Sequence, residues 1–433
     1  MRPVLKSALR RGWRDGESLQ FGVDPRHAVV LAPVDGAAAA FLELLDGTRG
    51  MDTLTVDAAA LGLGPEQVRR LLARLAEGGA LDDAAAHSAL STAVRHRTPL
   101  LDRLRPDLAA LSLVHPAPGA APARIRHRRA SRVRVLGAGR VGSALAAVLS
   151  AAGVGAVDLV DSGRVEPWDA GPCGIPAEHV GDRRDAAGRA AVRRAAPEER
   201  RRPADAGGGR GRAGPPAPPG RARGGTGPGS GARPGPRWSA GPGAGAVVTV
   251  VAPRDGLDAF APEEEQARAL VASGVPHLYA GVLEGTGVVG PLVLPGRTAC
   301  GQCLGLLLAG RDPAWPLLLA QLRSGRRPAV PACDIALATT VAGTAAGHVL
   351  AQLDGRLPPS AGARLELPSA GPAVRTLPVP GDARCGCGAA AAARTAGQEE
   401  RDERDEAPRP GRADPLLAGS FAATWAQRGT MAM

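Results

Sequence analysis

Lysine is all but missing from this chain: Lys6 is the only one among 433 residues, so nearly all the positive charge is carried by arginine. Any chemistry that needs an ammonium group away from the N-terminus is thereby excluded. Aromatic residues are also unusually scarce, at 2%. Met1 to Trp13 has basic residues but no apolar h-region, so it does not read as a secretory signal. No run of 18 uncharged apolar residues is found, which leaves a soluble, cytoplasmic protein as the expectation and no membrane partner.

What is present suits a large folded protein. An apolar fraction of 44% and this length allow two or three domains with a substantial core. The net charge of +11 could suggest nucleic acid, but residues 200–245 alone hold nine arginines against a single acid, Asp205. Charge confined to such a tract reads as a solvated linker, and no specific nucleic-acid binding is expected. The tract is so rich in Gly, Pro, Ala and Arg that it cannot bury enough apolar area to offset chain entropy. Its abrupt onset is also what a reading-frame slip in a GC-rich gene would produce, which independent resequencing tests.

One stretch organises the rest. Arg132 to Leu136 reads as a short strand, Gly137-Ala138-Gly139-Arg140-Val141-Gly142 fits G-x-G-x-x-G, and Ser143 to Ala152 is an alanine-rich helical run. A second apolar strand, Ala156 to Val160, ends on Asp161. Glycines let backbone N–H groups approach a phosphate, the helix N-terminus adds its positive end, and an acid after the second strand can bond a ribose hydroxyl. The expected cofactor-binding residues are therefore Gly137, Gly139, Gly142 and Asp161. Further on, Ala246 to Val251 is a continuous apolar run suited to a buried parallel strand, with Asp255 just beyond its carboxyl end.

Before this stretch, Ser18–Phe21 and His27–Leu31 look like strands around Asp24-Pro25-Arg26. A short helix follows from Gly36 to Leu45. Pro65 opens another, closed by Gly78-Gly79, with Val68, Leu71, Leu72 and Leu75 on one face. Residues 1–85 thus form a small module and 86–131 a connector, in which Leu100–Leu113 is helical, Pro116–Pro122 is linker and Ala123–Arg132 presents a solvated basic face. The main domain spans 132–390, interrupted at 200–245, and 391–433 is a flexible tail.

Six cysteines without an export signal read as metal ligands or reactive thiols. Cys300-Gly301-Gln302-Cys303 and Cys385-Gly386-Cys387 offer two pairs that a fold could bring together as a four-thiolate structural Zn²⁺ site, although C-x-C is tighter than the usual spacing. A redox pair or unligated thiols are the alternatives.

The segment after Asp161, with Val165-Glu166 and Trp168-Asp169, then Val180-Gly181-Asp182-Arg183-Arg184 leading to Ala196-Pro197, resembles the activating enzymes of the HesA/MoeB/ThiF type, relatives of the ubiquitin-activating enzymes. The resemblance also takes in Gly281 to Cys303. It implies an α/β, Rossmann-like doubly wound sheet; the small winged-helix-like α+β module before it is similar in element order to the PqqD type, which grips leader peptides, with a capping or dimerisation domain and a DNA-binding winged helix as the other readings. It further implies ATP and Mg²⁺ as cofactors and adenylation of the C-terminal carboxylate of a small ubiquitin-like or sulfur-carrier protein or a peptide. Family members are often homodimers, which makes a second copy a candidate partner. The catalytic candidates are Asp255, matching the metal-binding acid of T-D-N, Arg184 in place of the lysine of G-x-x-K, neighbouring Arg183, and Cys333, placed where some members carry a persulfide or thioester and expected to be activated by the helix start behind it. Two positions depart from the family: its arginine falls on Pro172 and its asparagine becomes Asp169. A non-catalytic leader-peptide-binding scaffold of the same fold and an NAD-dependent oxidoreductase are the alternatives.

Overall fold

The computed structural model describes residues 1–93, 98–197, 248–325, 330–369 and 373–406. The tract at 200–245 and most of the tail lie outside the described residues.

The N-terminal segment holds β1 (Pro3–Leu5), β2 (Arg11–Trp13), β3 (Leu19–Phe21), β4 (Val29–Leu31) and, after three helices, β5 (Leu81–Asp83). β2, β3 and β4 form an antiparallel sheet, while β1 pairs antiparallel with β5. Asp35 caps the helix Gly36–Glu43 by accepting from the Ala38 N–H at 2.7 Å. Pro65 begins the helix Pro65–Glu77 where its missing N–H has no cost. That helix buries Val68, Leu72 and Leu75 against Leu19, Phe21, Leu31, Phe41 and Leu54, with Leu71 at the margin. The strand β2 and the helix Met51–Ala60 were not evident in the sequence, since β2 is exposed throughout and the helix has only a weak apolar face.

The connector is not a linker. Helices Ala84–Ala93, Thr98–Val114 and Ala120–Ala130 close on a core of their own through Leu90, Leu100, Leu104, Leu108, Leu111 and Ile125. Pro122 sits in the first turn of the last helix, where proline is tolerated. Nor is that helix's basic face wholly solvated, because Arg128 is buried and paired with Asp354 across the fold at 2.5 Å.

The large sheet adds β6 (Arg132–Leu136), β7 (Ala156–Val160), β8 (Val248–Val251), β9 (His277–Leu283), β10 (Thr286–Val293), β11 (Ala363–Pro368) and β12 (Arg375–Pro378). Its order is β12-β11-β10-β9-β8-β6-β7. The four strands β7, β6, β8 and β9 run parallel, and β10, β11 and β12 follow, each antiparallel to the strand before it in the sheet. Apolar residues of both faces are buried, as parallel strands require. One face packs on helices Arg140–Ala151, Arg184–Ala195 and Ile335–Leu353, the other on Glu264–Ala272 and Gly301–Arg311. This is an α/β Rossmann-like sheet.

The helix Ile335–Leu353 carries no formal charge and is long and apolar enough to cross a membrane. Its Leu337, Val341, Ala345 and Val349 nevertheless pack against the sheet, which accounts for its composition.

Candidate functional site

β6, β7 and β8 end side by side, and the glycine loop is clamped between their carboxyl ends. Gly137 donates its N–H to Val160 at 2.9 Å, and Ala252 donates to Leu136 at 2.8 Å. Two of the glycines are required by space. Gly137 has φ +115°, and a Cβ on it would lie 1.9 Å from the Ala252 carbonyl oxygen; a Cβ on Gly142 would lie 2.1 Å from that of Gly137. The helix Arg140–Ala151 starts inside the motif, three residues earlier than its alanine run suggests, so its N-terminus is part of the loop.

Asp161 stands under the loop rather than open to it. Its Oδ2 accepts from the Ala138 N–H at 2.6 Å and its Oδ1 from Ser162 N–H at 2.6 Å. Arg184 approaches Oδ1 at 3.3 Å, and only 4% of the Asp161 side chain is exposed. The carboxylate therefore fixes the loop backbone as well as standing where the ribose acid is expected.

The other charged groups form one connected cluster. Arg184 is buried and donates to Asp169 (3.2 Å) and to the Ser162 carbonyl (2.7 Å), with a further contact to the Arg164 carbonyl. Asp169, itself buried, accepts from Arg254 Nε at 2.9 Å on its other oxygen, and Arg254 also pairs with Glu166. Burial works against the charge on Arg254, but Asp169 and Glu166 outweigh it and hold the guanidinium above its usual range. Arg140 donates to the main-chain carbonyls of Trp168 and Cys333, the latter at 2.7 Å, and so draws both segments onto the loop. Gly139, Gly142, Trp168, Asp169, Arg254 and Cys333 are among the residues lining the resulting pocket.

The remaining sequence candidates are placed differently. Arg183 is exposed and turned to Asp185 at 3.1 Å. Asp255 accepts from Leu257 N–H at the start of the short helix Leu257–Phe260 and is not among the pocket-lining residues; its neighbour Arg254 is. Cys333 does line the pocket, but burial raises its thiol pKa despite nearby Arg140, contrary to the activation expected from the helix start. Arg254 itself was missed by sequence reasoning. The available signal was a change of sign, an acid at 169 where the family has a neutral asparagine and a base beside Asp255.

The four cysteines Cys300, Cys303, Cys385 and Cys387 converge with all their sulfur atoms within 4.8 Å of one another. Cys300–Cys385 measures 3.5 Å, Cys303–Cys387 3.6 Å and Cys300–Cys303 4.0 Å. A tetrahedral ion with bonds near 2.3 Å needs sulfur separations of about 3.8 Å, so the cluster has the dimensions of a four-thiolate site. The tight C-x-C spacing is no obstacle, because each member meets a different cysteine of the helix Gly301–Arg311 and its cap.

These features define an α/β Rossmann-like fold with a glycine loop at the carboxyl ends of its parallel strands. Residues 117–206 match the model of the ThiF family. No curated protein matches the sequence. Among solved structures, E. coli MccB with ATP superposes with a TM-score of 0.57 at 13% identity, covering 89% of this chain and 99% of that one. The microcin C7 biosynthetic enzyme MccB in complex with N-formylated MccA gives 0.58 at 14% identity, over 90% and 100% of the two chains. A heterocyclase in complex with substrate and cofactor gives 0.53 at 14% identity, over 90% of this chain and 40% of that one.

Proposed function

We propose that this chain is an ATP-dependent adenylyltransferase that activates the C-terminal carboxylate of a peptide, a ubiquitin-like modifier or a sulfur-carrier protein. The observation that carries this reading is the glycine loop held at three adjacent strand ends beside a cluster of arginines and carboxylates. A substrate carboxylate oxygen forms a bond to the α-phosphorus, the bond to the bridging oxygen breaks, and pyrophosphate leaves with the electron pair. The nucleophile is already ionised, so no proton has to move. The work left to the protein is positioning and neutralising charge. The N–H groups at the start of the helix Arg140–Ala151 would face the phosphates, while Asp161, which takes the Ala138 N–H, keeps the loop in shape.

Mg²⁺ would accompany the nucleotide. The carboxylates bordering the loop, Glu166 and Asp169, are both paired with Arg254, and Asp255 is directed at the following helix, so no step is assigned through the ion. Zn²⁺ suits the four-cysteine cluster, where it would tie the start of helix Gly301–Arg311 to the segment after β12.

Peptides are favoured within the substrate class by the N-terminal segment. β2 is the edge of its sheet, all three of its residues are exposed, and an extended chain could add to it as a strand. MccB, one of the similar folds, is solved with MccA.

Incubation with ATP and candidate peptides should release pyrophosphate and yield a peptide heavier by an adenylyl group. A peptide that binds without any release would favour the non-catalytic scaffold of the same fold. Hydride transfer with a nicotinamide cofactor would instead favour an oxidoreductase.

A further inference from the structure

We infer that Arg254 is the residue that contacts the distal phosphates of the nucleotide, and that it is held ready by Glu166, which it releases when phosphate arrives. The inference rests on the nucleotide reading above and deepens it by naming the cation.

Among the described basic residues at or near the loop, the others are held elsewhere. Arg140 borders it, but its Nε and one Nη are held by two main-chain carbonyls, which fixes the side chain between the Trp168 and Cys333 segments. Arg184 is sealed beneath the loop, its side chain 7% exposed, with donors to Asp161, Asp169 and two carbonyls. Arg183 faces solvent beside Asp185. The chain's single lysine, Lys6, is tied to the Ser112 and Pro116 carbonyls at 2.7 and 2.8 Å.

Arg254 differs in both position and partners. Its stem lies directly on the loop: a Cβ added to Gly139 would come 2.9 Å from the Arg254 Cγ, so the absence of a side chain at 139 is what lets the arginine cross there. Its guanidinium is partly exposed and is held by two carboxylates rather than by backbone. One of them, Glu166, is itself 42% exposed, so water can take the arginine's place on it. Two oxygens of a tetrahedral phosphate can accept from a guanidinium side by side, as the two oxygens of a carboxylate do, so the same arginine can bond either group. The buried Asp169 stays bonded to Nε and keeps the side chain aimed at the loop during the exchange.

The test is calorimetric binding of MgATP and of AMP to the full chain and its variants. Arg254→Ala should weaken MgATP by about tenfold or more while changing AMP by less than about twofold, with Arg254→Lys recovering part of the loss. Glu166→Gln, which frees the arginine without removing it, should tighten MgATP and leave AMP unaffected. The Glu166 variant also keeps the test decisive if Arg254→Ala does not fold. Equal losses for the two nucleotides, an unchanged MgATP affinity in Arg254→Ala, or weaker MgATP binding in Glu166→Gln would overturn the inference. Wild-type protein that binds neither nucleotide would overturn the nucleotide reading itself, and with it this inference.

Discussion

Replacing Asp169 by asparagine restores the residue that the resembled family carries at this position, yet the structure predicts harm. The Asp169 side chain is 3% exposed and receives Arg184 Nε at 3.2 Å and Arg254 Nε at 2.9 Å. An asparagine has the same shape but brings no charge, and its amide group would put donors against donors. Removing one partner of a buried pair costs about 3–5 kcal/mol. Arg184 keeps Asp161, so the lower end applies, and partly exposed Arg254 adds little because solvent screens it. A loss of about 3 kcal/mol lowers the midpoint of a domain this size by roughly 6–12 °C. Thermal unfolding followed by far-UV circular dichroism reads the shift directly. Asp24→Asn serves as the control, because the Arg26–Asp24 pair is solvent-exposed and its loss should not move the midpoint. An Asp169→Asn protein that melts within about 1 °C of wild type would refute the reasoning that this cluster depends on its central carboxylate.

Other outcomes follow from the same structure. Purified protein should contain one zinc ion per chain by mass spectrometry; Cys387→Ser should lose it and become protease-sensitive near the helix Gly301–Arg311, whereas a metal-free wild type of equal stability would count against a structural ion. His277 is wholly buried, and desolvation lowers its pKa to about 4. The unfolded chain takes up that proton below about pH 6.5 while the folded one does not, so its contribution is complete above that pH. As pH falls toward 4, up to about 3 kcal/mol of stability should be lost. Urea melts at pH 7 and pH 5 should show the decline, and His277→Phe should flatten it; an equal decline in the variant would assign the effect elsewhere. Arg128→Met should destabilise by about 3 kcal/mol by stranding Asp354, whose side chain is 5% exposed, and adding Asp354→Leu should recover most of the loss in a chemical denaturation series.

Regular periodicity made much of this fold legible in the sequence. The strands Arg132–Leu136 and Ala156–Val160 and the helix Ile335–Leu353 stand where the residues place them, because each has an unbroken apolar run or face bounded by turn residues. The helical connector was obscured by its prolines and arginines. Pro106 lies inside the helix Thr98–Val114, and Arg128 is satisfied by Asp354, a partner 226 residues away that no local pattern reveals. The glycine loop was legible because the backbone itself demands glycine at 137 and 142. The direction in which Arg254 and Asp255 point was not, since adjacent residues after a strand face opposite ways and only the packed turn at Gly256 decides between them. Cys333 misled for a related reason: proximity to a helix start is visible in the sequence, but burial, which dominates its thiol, is not.

Uptake of a nucleotide by the loop at Gly137–Gly142 is the central expectation. Titration of the folded full-length chain with MgATP should show one molecule bound per chain, and Gly142→Ala, which drives a methyl group to 2.1 Å from the Gly137 oxygen, should abolish the heat. Wild-type protein that gives no heat, or a variant that binds as well as wild type, would contradict it.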